Sequence, residues 1–246
     1  MLSVILLRTD MRRALAAGLL LASSASPALA QYADPISATV EIASDERRRG
    51  LSWSDGEPVV RGSVAVQATS ELSFDAAATS LWSSTRHGGA DAVVDLGTSY
   101  ARQIGAWQLS AKGAYHLFPG SSGKGYGEVG AGAAFLIGPA NIDLNASYAP
   151  KQGAIGGDNL YLSASAAAGL PGTPLTVSAH VGRSSGKVRD TANAARLRPE
   201  GSYWDHGISI EYLQPRWFAG LRYANSSIDD ARHSGATVVA RAGISF

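Results

Sequence analysis

Four groups of residues carry side chains able to do chemistry. Asp205-His206, and the group Asp229, Asp230 and His233, set carboxylates beside an imidazole, the pairing by which a general base activates a water for hydrolysis. Arg47, Arg48 and Arg49, with Arg86 and His87 further along, form a basic set that could contact phosphate groups, the paired fork of arginine suiting phosphate oxygens. The glycine-rich run from Gly120 to Gly125 around Lys124 resembles a phosphate loop, but it lacks the G-x-x-x-x-G-K-[ST] spacing and a following helix. Each group also has a plainer reading. Asp-rich segments are commonly solvated turn formers, and a basic run is commonly a solvated loop. Neighbours along a strand point to opposite faces, so Asp205 and His206 cannot serve one site without a bulge.

What positions these residues is set by the rest of the chain. Arg12 and Arg13 precede the apolar run Ala14 to Ala22 and the small-residue ending Pro27-Ala28-Leu29-Ala30, which reads as a signal peptide cut after Ala30, with Met1 or Met11 as the start. Of 21 basic and 20 acidic residues, three arginines and Asp10 fall in that segment, leaving 18 and 19. So even a balance argues against nucleic acid, which favours a basic footprint. The absence of cysteine removes disulfides, thiolate metal sites and cysteine nucleophiles. Beyond Ala30 no run reaches the roughly eighteen apolar residues of a membrane helix. If the remainder spans a membrane it must do so as a closed barrel, because in lipid every backbone amide needs a partner.

From Ile36 onward the apolar residues alternate, and clusters of Gly, Pro, Ser and Asp interrupt them at regular intervals. Twelve strands are expected, at Ile36–Ser44, Val59–Thr69, Leu72–Ser83, Ala92–Gln103, Trp107–Phe118, Tyr126–Ile137, Asn141–Ala149, Asn159–Leu170, Leu175–Ser184, Tyr203–Leu213, Arg216–Asn225 and Ala236–Phe246. Tight breaks alternate with longer ones, the longest being Asp45–Pro58 and Ser185–Ser202. An even strand count with short turns at one end and long loops at the other is the pattern of a transmembrane up-and-down antiparallel β-barrel. The expectation is an all-β chain, with residues 31–246 forming one barrel domain.

Side-chain parity gives each strand a lipid face and a lumen face. In the last strand Ala236, Val238, Ala240, Ala242, Ile244 and Phe246 share the apolar face. The strand charges Glu41, Arg61, Asp75, Asp95, Lys112, Glu128, Asp143, Glu211, Arg222 and Arg241 all take the opposite, lumen-lining parity. An arginine or lysine at the lipid midplane would cost about 2–4 kcal/mol. Outward aromatics sort into two belts: Phe74, Tyr100, Trp107, Phe135, Tyr212, Trp217 and Phe246 at the short-turn rim, and Trp82, Tyr115, Tyr148 and Trp204 at the long-loop rim.

The ending A-R-A-G-I-S-F resembles the C-terminal assembly signal of outer-membrane barrels, with Phe246 and Ile244 as its key residues. The segment from Arg49 to Gly62, in which Arg49, Gly50, Ser52, Asp55 and Pro58 match an R-G-[IV]-S-[QW]-[ST]-D pattern followed by a proline, resembles the TorF family of proteobacterial porins, as does G-Y-G-E-V from Gly125 to Val129. The charged stretch Asp45-Glu46-Arg47-Arg48 departs from the aromatic-rich residues expected there. The resemblance implies an outer-membrane porin, exported through the cleaved signal peptide, that passes small hydrophilic solutes by passive diffusion. The lumen charges would then tune what passes. In a barrel this narrow, inserted loops and paired charges are an alternative filling of the lumen. The other readings are a non-conducting barrel that acts through its outer loops in binding or adhesion, and an outer-membrane hydrolase. No enzyme activity, cofactor or metal is expected. The expected partners are outer-membrane lipid and glycolipid (the latter met by the Arg47–Arg49 run with Arg86 and His87), the barrel assembly machinery and small solutes. Parity does not choose between a monomer and a homo-oligomer.

Overall fold

The computed structural model describes residues 35–228 and 233–246. The expected signal peptide, and with it Ala30, lies outside the described residues, as do Asp229 and Asp230. Twelve strands close into one antiparallel barrel: β1 (Ile36–Ala43), β4 (Val59–Gln67), β5 (Leu72–Ser84), β6 (Ala90–Ile104), β7 (Trp107–Leu117), β8 (Tyr126–Ile137), β9 (Ala140–Gln152), β10 (Gly157–Gly169), β11 (Leu175–Ser185), β12 (Tyr203–Leu213), β13 (Trp217–Ser226) and β14 (Thr237–Ser245). Between β1 and β4 lies a two-stranded hairpin, β2 (Arg47–Arg48) and β3 (Leu51–Ser52), which belongs to no barrel edge. Among the described residues one short α-helix, α1 (Thr191–Ala194), sits in the loop between β11 and β12.

Each barrel strand pairs with its neighbours in sequence. β14 returns to β1 with Ile244 opposite Val40 and Ala242 opposite Ile42, so no edge is left open. The terminal pair is sealed by Phe246 N donating to Ala38 O at 2.9 Å. Closure satisfies the ladder, and the period-two pattern then decides which side chains face out. Ile42, Val60, Leu96, Leu144, Ile208 and Leu221 are exposed on the outside. Trp82, Tyr115, Tyr148 and Trp204 lie exposed towards one rim, and Phe74, Tyr100, Trp107, Tyr212 and Trp217 towards the other.

Observed strand ends differ from the expected ones mainly at the long-loop end. β9 runs on to Gln152 and β10 begins at Gly157, where the register shifts. β5 and β6 shift register between Ser80 and Ser84. Such bulges bend strand ends inward or outward and escape a pattern-based reading.

The buried apolar core lies within the barrel at the long-loop end. Leu51, Trp53, Leu81, Val93, Phe118, Tyr126, Ile155, Leu197 and Tyr203 pack there, drawing on the hairpin segment, the wall and the long loops. Two buried arginines of the loop before β12 hold it down. Arg196 donates to Lys124 O and Ala154 O, and Arg198 to Gly186 O and Asp158 O.

Candidate functional site

The segment Asp45–Pro58 turns into the lumen rather than out to solvent. At its tip Arg49 and Gly50 have φ of 52° and 77°, as a tight two-residue hairpin loop requires, and Arg48 pairs with Leu51 across it. The tip presses on the wall: a Cβ on Gly50 would lie 2.8 Å from Asp205 Cβ and 3.0 Å from Ser226 Cβ. Glycine therefore meets two demands there, a left-handed backbone and a close approach. Tyr203 Oη donates to Arg49 O at 2.9 Å, and Arg222 Nη2 to Arg47 O at 3.0 Å.

The base of this plug is tied by its own polar residues. Asp45 accepts from Ser52 Oγ at 2.5 Å, from Ser54 Oγ at 2.9 Å and from Arg47 Nε at 2.8 Å. Gly56 N donates back to Ser52 Oγ, and Asp55 accepts from both the amide and the hydroxyl of Thr85 in the next long loop. Ser52 N donates to His233 O at 3.1 Å. Trp53 is buried against His87 and Phe118, with the Arg48 guanidinium 4.3 Å from its ring centroid.

Two wall carboxylates receive the plug. Asp95 on β6 accepts from both terminal nitrogens of Arg48, at 3.0 and 2.8 Å, and Glu128 on β8 accepts from Arg49 Nη2 at 2.9 and 2.8 Å. Glu46 takes Arg48 Nε at 2.7 Å, and Arg61 lies 3.8 Å from Asp95. Burial opposes charge on Arg48, but Asp95 and Glu46 outweigh it and raise its pKa; on Arg49 burial is likewise outweighed by Glu128. His116 on β7 stands between the two carboxylates, with Nδ1 2.7 Å from Asp95 and Nε2 3.6 Å from Glu128.

The arginine run expected to meet glycolipid is thus turned inward. Three guanidiniums, Arg47 buried and Arg48 and Arg49 partly so, need counter-charges, and Asp45, Glu46, Asp95 and Glu128 supply them inside the barrel. Arg86 and His87 do not face a membrane surface either. Arg86 Nε donates to Ser52 O, while His87 is fully buried and stacked on Phe118. Burial, with Arg196 and Arg86 adding to it, pushes the His87 pKa well below the ordinary imidazole range, and burial brings Arg196 down to about 10.

Of the other charges with lumen parity, Glu41, Arg61, Arg222 and Arg241 line a cavity of about 240 Å³ between the plug and the short-turn end, together with Glu46, Arg47, Gln214 and Phe218. Arg241 lies 3.8 Å from Glu41 and 3.3 Å from Glu211. Lys112 donates to Asn145 at 3.1 Å, and the buried Asp143 accepts from Asn141. The Asp75 carboxylate lies over Gly97, where a Cβ would collide with it.

A second wall cluster forms around Asp205, which the sequence sets beside His206 but whose actual partners, Tyr161 and His180, the sequence did not single out. Asp205 on β12 is fully buried; its Oδ1 accepts from Tyr161 Oη of β10 at 3.1 Å and lies 3.3 Å from His180 Nε2 of β11. Gly182 and Gly207 make the room, since a Cβ at either would collide with Tyr161 or His180. The Arg49 guanidinium sits 4.6 Å from the Tyr161 ring centroid, which joins this cluster to the plug. Inward parity and adjacency across strands are the signals that could have found it. His206, next to Asp205, is exposed on the other face and packs near Tyr223, so the two do not share a site. Among the described residues no group of three or more His, Asp or Glu is placed to hold a metal ion.

The barrel resembles solved porins in fold. The structure described as "KdgM porin" superposes with a TM-score of 0.56 at 8% identity, covering 86% of this chain and 97% of that one. The NanC porin gives 0.57 at 11% identity, over 85% and 98%. A KdgM porin in complex with disordered oligogalacturonate gives 0.56 at 8% identity. No curated protein matches the chain in sequence. A family profile described as "Bacterial protein of unknown function (Gcw_chp)" matches residues 28–244; the description assigns no activity and does not carry the TorF name. With that match running through all twelve barrel strands, the chain belongs to the Gcw_chp family of bacterial proteins.

Proposed function

We propose that this chain is an outer-membrane channel of the porin kind, a passive path for small hydrophilic solutes that its own Asp45–Pro58 hairpin closes in the conformation described above. The observation that carries this reading is the manner of closure. A short hairpin fills the lumen, and its tip is held to the wall by the charge pairs Arg48–Asp95 and Arg49–Glu128 across a polar surface. Contacts of this kind can be exchanged for water or solute, and the plug's apolar residues Leu51 and Trp53 must leave the cluster at the long-loop end when they are. The polar cavity below the plug gives solute a place to stand on the short-turn side. The short-turn end then faces the periplasm and the long loops face outward, with the apolar outer face against lipid. The resemblance to TorF porins at Arg49, Gly50, Ser52, Asp55 and Pro58, and the fold shared with the KdgM and NanC porins, support the same reading. Export through the signal peptide and recognition of Ile244 and Phe246 by the assembly machinery complete it.

The test is planar-bilayer conductance of the refolded chain, with heat-modifiable gel mobility to show that the barrel has formed. The intact protein should give small, infrequent steps. Replacing residues 46–56 by a Gly-Ser linker of equal length should give large, discrete ones. A folded but silent plug-less barrel would overturn the channel reading. A second reading would then gain ground, because the apolar cluster around Trp53 and Leu197 seals the long-loop end. On that reading the barrel does not conduct and acts through its long loops as a binding or adhesion surface.

A further inference from the structure

The plug arginines show what the lumen wall binds. Asp95 holds the Arg48 guanidinium through both of its terminal nitrogens, the fork-on-carboxylate arrangement that favours guanidinium over a point-like ammonium. Glu128 takes Arg49, and the Tyr161 ring lies under the same guanidinium, adding the attraction of an aromatic face for a cation. The fit of Arg49 is incomplete. Only Nη2 reaches Glu128, and Nη1 is buried without a hydrogen-bond partner among the described residues.

The wall is also left short of a donor. Asp205 is 0% exposed, yet its Oδ2 has no hydrogen-bond partner among the described residues, and the plug residue packed against it is Gly50, which brings no side chain. A buried carboxylate oxygen without a donor is costly, and one is found here beside the Tyr161 ring that already holds a cation. We propose that Asp95, Glu128 and Asp205, with the Tyr161 ring, form a receptor for a small organic dication bearing a guanidinium group. In this conformation the plug's own Arg48 and Arg49 fill that receptor, and the solute opens the lumen by taking their place. The proposal rests on the reading of the barrel as a plug-closed channel, and it names the solute class that channel admits.

A tethered plug competes at high effective concentration, about millimolar for a short flexible link. A free dication overcomes this by satisfying what the plug does not: the second nitrogen position at Glu128 and the orphan oxygen of Asp205. Withdrawal of the plug without a replacement would leave Asp95 and Glu128 with His116 and Arg61 as their basic partners among the described residues, so the wall favours exchange of one cation for another over emptying.

Agmatine, a dication with one guanidinium and one ammonium, is the probe, with succinate and glycerol as anionic and neutral controls. In bilayers holding the full-length barrel, agmatine should raise open probability several-fold where succinate and glycerol do not. Titration calorimetry should show saturable binding. Glu128→Gln should weaken that binding about tenfold, with Glu128→Asp retaining part of it. The double variant Arg48→Gln/Arg49→Gln, which vacates the receptor, should bind agmatine about tenfold more tightly than the parent. If the double variant conducts while agmatine neither binds nor alters gating of the parent beyond the controls, the receptor is overturned and the channel reading stands. If agmatine binds as described but the double variant and the plug-less barrel are silent, the channel reading fails and the opening step with it, while the cation receptor stands. The comparison of agmatine with succinate on the parent protein needs no variant, so a misfolded mutant cannot shield the proposal.

Discussion

Glu128 accepts both of its short contacts with Arg49 from a single nitrogen, Nη2, at 2.9 and 2.8 Å, and the residues lie 79 positions apart in the chain. The pair ties the tip of the inner hairpin to a strand on the wall. Both side chains are mostly buried, so removing one partner strands the other as an uncompensated charge. Such a loss typically costs about 3–5 kcal/mol. Arg49→Ala and Glu128→Gln should therefore each lower the midpoint of thermal unfolding in detergent, and the double variant should lose clearly less than the two single losses added together. Additive losses would show that the two side chains are not coupled.

Gly50 offers a test of the plug that leaves every charge in place. Its φ of 77° and its approach to Asp205 and Ser226 leave no room for a side chain. Gly50→Val should unseat the tip, increase single-channel conductance and speed amide exchange of residues 47–52, while the barrel still forms. Parental exchange rates in this variant would mean that the hairpin does not depend on the fit at Gly50.

His87 sets a pH dependence. Its folded-state pKa is depressed by burial, with Arg196 and Arg86 adding to the effect, so the folded state binds its proton less readily than the unfolded chain does. The stabilisation from a neutral His87 is thus fully present above the ordinary imidazole pKa of about 6.5 and is lost as the pH falls below it, by up to about 1.4 kcal/mol per pH unit. The loop segments 85–89 and 190–198 should loosen between pH 7.5 and pH 5 in hydrogen exchange. His87→Phe keeps the stack on Phe118 but cannot take up the proton, and should flatten that dependence. An unchanged pH profile in this variant would assign the effect to other groups.

Much of this architecture is legible in the sequence, because a barrel strand is specified locally. Alternation along Ile142, Asp143, Leu144 and Asn145 fixes both the strand and its faces, and the same holds around the wall. The fate of Asp45–Pro58 is not local. Nothing in Arg47-Arg48-Arg49 distinguishes a solvated loop from an inserted plug. That choice is made by Asp95 and Glu128, which lie 47 and 79 residues away from the arginines they hold. The match at Arg49, Gly50, Ser52 and Asp55 marked the segment without revealing its use: a wall contact, a left-handed turn, a tie to Asp45 and a clamp on Thr85. The Tyr161–Asp205–His180 cluster escaped for a similar reason. Its room is made by Gly182 and Gly207, whose purpose appears only when the strands stand side by side.

Deleting Phe246 tests the chain end separately from the barrel wall. Its backbone closes the ladder against Ala38, and the residue is 76% exposed, so little packing is lost with it. Refolding of the truncated chain in detergent should be nearly unimpaired, while its level in the outer membrane of cells should fall severalfold. Normal membrane levels would remove the assembly role of Phe246 and Ile244.

The orientation of the wall is tested by two neighbouring residues in the middle of β12. Ile208 is 59% exposed on the outer face, opposite Tyr223 and Ala179, while Ser209 turns inward, hydrogen-bonds Ser178 at 2.7 Å and lies opposite Arg222 in the ladder. Ile208→Arg places a charge in hydrocarbon, at about 2–4 kcal/mol if it lies near the midplane. Ser209→Asp adds a charge one residue away, but inside the barrel and beside a cation, where it should cost little. In refolding into lipid vesicles the folded fraction should drop sharply for Ile208→Arg and stay near parental for Ser209→Asp. Equal tolerance of both would mean that the outer face of β12 does not meet lipid, and the membrane reading of the whole barrel would fall with it, because every strand shares the same register.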